Sequence, residues 1–88
     1  MKIKREHRLG KDEARKRVDE IAARLNSKFK LRSAWQGDDL KIDGSGVQGR
    51  IVVSDHSVDV ELQLGFALKM FEGTIRSSIE EAMDDHLT

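Results

Sequence analysis

The sequence predicts an α+β fold with the order β-α-β-β-β-β-α, an antiparallel sheet carrying both helices on one face. Three observations lead there. Val58, Val60, Leu62 and Leu64 alternate strictly with Asp59, Glu61 and Gln63, the period-2 signature of a strand wet on one side. Residues 11–29 and about 66–87 instead repeat apolar side chains every 3.6 residues. Each element thus has a single apolar side, and stacking the helices on the sheet is the simplest way to bury all of them.

Residues 2–8 alternate weakly, with Ile3 and Leu9 on one side and Lys2, Lys4 and Arg8 on the other. This reads as an edge strand whose charges discourage pairing with other chains. Leu9-Gly10 breaks it. In residues 11–29, Ala14, Val18, Ile21, Ala22, Leu25 and Phe29 form one stripe. Asp12 and Glu13 at its start and Lys28 at its end suit the helix dipole. Asp12–Lys16, Glu13–Arg17 and Glu20–Arg24 are acid-before-base pairs four residues apart, each worth a few tenths of a kcal/mol. Residues 31–36 make a short strand bearing the sole tryptophan, Trp35, and Gly37-Asp38 turns the chain. Leu40 and Ile42 alternate with Lys41 and Asp43, and Gly44-Ser45-Gly46 turns again. Val47, Gly49, Ile51 and Val53 then face one way, with Gln48, Arg50 and Ser54 facing the other. Asp55-His56 leads into the strictly alternating strand. In the last helix Leu68, Phe71, Ile75, Ile79, Ala82 and Met83 form the core stripe, and Gly73 is a weak point inside it. Length and the lack of any linker predict one domain over residues 1–88.

Composition excludes several functions. The chain has 88 residues, no cysteine and no proline. Thiol catalysis and cysteine-ligated zinc are therefore out, and a reducing compartment is suited. The charged start, Met1 to Arg8, has no apolar run behind it, so neither a signal peptide nor a membrane span is expected and a cytoplasmic location is the default. Net charge is zero, yet residues 1–32 hold twelve Lys/Arg against five Asp/Glu, and residues 33–88 hold four against eleven. If the fold preserves that asymmetry, one surface is basic. Lys2 to Arg32 could then bind nucleic acid, or copies could pack against one another as a homo-oligomer. The near-neutral pI, about 6.8, argues against nucleic acid.

No constellation of reactive groups emerges. Gly44-Ser-Gly46-Val-Gln-Gly49 matches G-x-G-x-x-G, but a strand follows where a dinucleotide site needs a helix, and residues 51–68 lack a kinase-like lysine. His7, His56 and His86 have no ligand spacing and read as surface histidines. The adjacent acids Asp38-Asp39, Glu80-Glu81 and Asp84-Asp85 point about 100° apart wherever they are helical, so they make no acid–base dyad. The expectation is no catalytic residue, no metal and no cofactor. A ligand cavity between sheet and helices is a further option, small at this chain length.

One feature exceeds the needs of a core. Phe66, Ala67, Leu68, Met70 and Phe71 make the last helix apolar nearly all round at its start. Phe66 and Met70 point away from the core stripe. They are either buried under the strand ends or form a small apolar contact patch. Trp35 carries the same ambiguity, completing a core or anchoring an interface. Trp35, Phe66 and Met70 are the candidate interaction residues.

Taken in order, His7-Arg-Leu9-Gly10, Leu25 with Phe29, Trp35-Gln-Gly37-Asp38, Ser45-Gly46-Val47-Gln-Gly49-Arg50-Ile51, Leu64-Gly65-Phe66-Ala-Leu68 and the closing Ile75, Ile79, Leu87 pattern resemble the polyhydroxyalkanoic acid system protein family. This small bacterial family is associated with polyhydroxyalkanoate granules. Gly46-Val47-Gln-Gly49 and Leu64-Gly65-Phe66 carry most of the likeness. The resemblance implies a setting of storage-polyester synthesis or mobilisation, with the granule surface or granule proteins as partners. It implies no enzymatic activity and no assigned residues. The sequence thus points to a non-catalytic accessory of polyhydroxyalkanoate metabolism acting through protein or granule-surface contacts, or alternatively to a nucleic-acid-binding regulator using the basic N-terminal strand and helix.

Overall fold

The computed structural model describes residues 1–87. Its elements are β1 (Lys2–Glu6), α1 (Lys11–Phe29), β2 (Arg32–Gln36), β3 (Asp39–Gly44), β4 (Val47–Val53), β5 (Ser57–Leu64), a 3-10 helix (Phe66–Phe71) and α2 (Glu72–His86). The five strands form one antiparallel sheet in the order β1-β5-β4-β3-β2. β2 to β5 are a meander joined by tight turns. β1 closes on the far side of β5, so α1 must cross the sheet from one edge to the other.

The alternation in the sequence sets the two faces. Ile3, Leu40, Ile42, Val47, Ile51, Val53, Val58, Val60 and Leu62 point toward the helices and are buried. They meet Val18, Ile21 and Leu25 of α1 and Ile75, Ile79 and Met83 of α2 in one apolar cluster. Fully burying each such side chain contributes about 1.5–3 kcal/mol. The opposite sheet face carries charge in register: Lys2 pairs with Glu61, Glu61 with Arg50 and Arg50 with Lys41 across four strands. Arg50 donates to Glu61 at 2.9 Å and to Asp39 at 3.4 Å.

α1 begins and ends on specific devices. Gly10 enters at φ 78°, and Asp55 Oδ1 on the β4–β5 turn accepts the Lys11 N–H at 3.2 Å, capping the helix from another element. Lys30, at φ 57°, ends it in the left-handed conformation usually given to glycine. Of the three expected intrahelical pairs, Glu13–Arg17 forms at 3.9 Å. Glu20 and Arg24 turn instead to α2: His86 Nδ1 is 3.0 Å from Glu20, and Arg24 reaches Glu81 at 3.5 Å and Asp85 at 2.8 Å.

Three expectations need correction. The final helix is not α-helical from Phe66; its first six residues wind as a 3-10 helix. Phe71, expected in the core stripe, is 52% exposed: it is the junction residue, at φ −100° and ψ 7°, where the 3-10 helix passes into α2, so it does not continue the line of Ile75. His7, expected at the surface, is buried. Its Nδ1 accepts the Leu9 N–H at 3.1 Å, which leaves Nε2 to donate to the Ser54 carbonyl at 3.1 Å. The ring thus ties the end of β1 to the β4–β5 turn.

Candidate interaction surface

The 3-10 helix is the place where the sheet, the β3–β4 turn and the helical layer meet. Gly65 ends β5 and donates its N–H to the Gly46 carbonyl at 2.8 Å. Leu68 N–H then bonds to the Gly65 carbonyl at 2.9 Å, closing the first turn. Gly46, at φ 82°, lies directly beneath the Leu68 side chain: a Cβ there would come within 3.3 Å of Leu68 Cδ1. The two glycine segments that stood out in the sequence therefore converge on one spot.

Leu68 is half-buried and turns toward the core, while its neighbours turn outward. Phe66 is 93% exposed and Met70 83%. Burial under the strand ends is thereby overturned, and these side chains with Phe71 form an apolar patch whose only charged member is Lys69. Sequence periodicity missed Phe71. The signal that could have found it is Glu72, an acid of the kind that favours the first turn of an α-helix, which places the start of α2 after Phe71.

Trp35 does not join this patch. Its partner across β2 and β3 is Leu40, at the Gly37-Asp38 end of the sheet, whereas the patch follows Leu64 at the Gly46 end. The indole N–H donates to Asp19 Oδ1 at 2.8 Å, and the Arg15 guanidinium stacks 4.2 Å from the ring centre. Trp35 packs against the core margin and fastens the edge strand to α1.

Beneath the patch lies a cavity of about 100 Å³ between the sheet and the helices. Leu25, Ile51, Val60 and Ile79 line its interior and are buried. Phe29, Leu31, Ser45 and Leu68 line it too but keep solvent exposure, so they mark its mouth. Ser45 is the sole lining residue with a polar side chain, and its hydroxyl donates to the Lys30 carbonyl at 3.3 Å. Interiors are normally packed to leave few voids larger than a water molecule. At roughly 24 cal/mol per Å³, a void of this size costs about 2 kcal/mol of stability.

Several cations of the basic N-terminal segment are paired with acids. Arg5 pairs with Glu80 at 3.2 Å and Asp84 at 3.1 Å, Lys11 and Arg15 both reach Asp38 at 3.0 Å, Arg24 holds α2, and Arg32 faces Asp43 at 3.5 Å. The fold mixes the two halves of the chain. The Lys11 hydrogen bond, reinforced by Arg15, holds the Asp38 carboxyl below its usual 3.8, and Arg50 does the same for Glu61. Among the described residues no three histidine or carboxylate side chains converge where they could hold a metal ion, and no helix is long and apolar enough to cross a membrane.

A family model described as "Putative polyhydroxyalkanoic acid system protein" matches residues 1–87. No curated protein and no solved structure matches the chain.

Proposed function

Since the chain belongs to the polyhydroxyalkanoic acid system protein family, we propose that it is a non-catalytic accessory of polyhydroxyalkanoate metabolism that acts by contact with the granule surface or a granule protein. The observation that carries this reading is the 3-10 helix, where Phe66 and Met70 stand almost fully in water. Water-exposed apolar side chains clustered on one short segment are expected at a docking surface rather than on an isolated monomer. Burying the two contributes about 3–6 kcal/mol against an association cost of about 4–15 kcal/mol, so they would anchor the centre of a wider contact. A cytoplasmic location belongs to the same reading, because storage granules are the proposed partner.

Co-sedimentation with polyhydroxyalkanoate particles tests it. The wild-type chain is expected in the pellet, and the double variant Phe66→Ser/Met70→Ser at least tenfold less so, with an unchanged melting curve. A wild-type chain that stays in the supernatant, both with bare particles and with native granules carrying their proteins, would refute the reading.

A further inference from the structure

We propose that the cavity under Leu68 is a binding site for the end of one unbranched alkyl chain, about four carbons long. Size sets the length. A cavity of about 150 Å³ lined by Leu, Ile and Phe stays dry and takes up benzene, so one of about 100 Å³ has room for roughly two thirds as many carbons. A six-membered aromatic ring is too large, and a long acyl chain would leave most of its length outside.

The lining sets the chemistry. Its walls are aliphatic side chains and the Phe29 ring, and the hydroxyl of Ser45 at the mouth is already bonded to Lys30. A water molecule needs two to four polar partners and finds none inside. An alkyl group gains dispersion contacts that the facing walls otherwise lack. The route in is also present, since the interior residues are buried whereas Phe29, Leu31, Ser45 and Leu68 reach the surface. Leu68 belongs to the 3-10 helix and stands over Gly46, whose missing side chain leaves the mouth uncrowded. The chain that enters can come from a polyester side group or from a free small molecule, which share this chemistry.

Methyl NMR of the wild-type chain titrated with 1-butanol tests the site. Saturable shifts are expected at Ile51, Val60 and Ile79, and none at Val18 or Leu87, which are buried in the same core but stand about two helical turns from the lining residues Leu25 and Ile79. Across 1-propanol, 1-butanol, 1-hexanol and 1-octanol, the gain in affinity per carbon is expected to stop near four or five. Val60→Leu, which fills the void, should weaken 1-butanol at least fivefold and raise the melting temperature; Val47→Ile serves the same purpose should the leucine disturb the fold. No shift at the lining methyls, or affinity climbing through octanol with shifts only at Phe66 and Met70, would overturn the assignment. Particles of a polyester with five-carbon side groups then tell the sources apart: release of bound 1-butanol points to the polymer, retention to a free molecule. The site and the granule reading fail separately, because the cavity is probed without granules and the docking test without alcohols.

Discussion

Gly49 sits in mid-strand with the β5 backbone over the place where a side chain would go. A Cβ there would collide with the Glu61 carbonyl and come within 2.8 Å of Leu62 Cα and 2.6 Å of Leu62 Cδ2. These are not flexible side-chain ends alone, so the strand pair itself must shift. Gly49→Ala is expected to destabilise the fold by about 3 kcal/mol, measured as a lowered urea midpoint with unchanged slope. His7→Leu removes the ring that serves Leu9 N–H and the Ser54 carbonyl, and is expected to cost about 1–3 kcal/mol by the same measurement. The two residues were unequally legible. The strand glycine was evident from the alternation around it. His7 shares the strand parity of Ile3, so the pattern already pointed it inward, but its polar type outweighed the pattern in the reading. Of the candidate interaction residues, Phe66 and Met70 are exposed, as their placement roughly opposite the core stripe suggested. Trp35 had two readings that composition could not separate, since its hydrogen bond to Asp19 depends on a long-range approach of β2 to α1.

At the scale of elements, α1 was legible from end to end because its stripe is continuous and Gly10 marks its start. The last helix was not. Apolar residues on every side of its first turns fit a 3-10 and an α winding equally well, and Glu72 alone hints at where the α winding begins. The difference is measurable. Phe71→Ser is expected to change stability by no more than about 0.5 kcal/mol, whereas Ile75→Ala, one α-turn later and buried, should cost about 2–4 kcal/mol. The β2–β3 hairpin is fastened to α1 through Asp38, which makes that joint sensitive to acid. Asp38 and Glu61 have folded pKa values below their ordinary 3.8 and 4.5. On acidification the unfolded chain therefore takes up these protons first, and the unfolded state is favoured. Stability from the two groups is expected to be complete above about pH 5 and to be lost as pH falls past the ordinary carboxylate range and through their lowered folded values. Asp38→Asn should flatten that part of an acid titration followed by circular dichroism.

At the scale of the whole molecule, the fold class followed from amphipathic periodicity, because each element had one side to bury. Strand order did not, since alternation says which face is buried but not which strand is the neighbour, and β1 pairs with β5 across 50 residues of intervening chain. The charge asymmetry of the sequence is likewise offset in part only in three dimensions, where Arg5, Lys11, Arg15 and Arg24 meet acids of the second half. Duplex DNA binding is accordingly expected to be undetectable by fluorescence anisotropy at about 0.15 M salt. The single apolar cluster predicts one cooperative transition, with Trp35 fluorescence and far-UV circular dichroism superimposing on a common melting curve.

The unfilled space beneath Leu68 also sets how the chain responds to compression. Unfolding lets solvent occupy volume that the native state leaves vacant, so the molar volume falls when the chain unravels. A void of about 100 Å³ corresponds to at most about 60 mL/mol, within the usual span of such changes. Hydrostatic pressure thus pulls the equilibrium toward the unravelled chain, and an occupant lodged in the space, or a leucine grown into it at Val60, shifts the half-unfolding pressure upward by shrinking that volume difference.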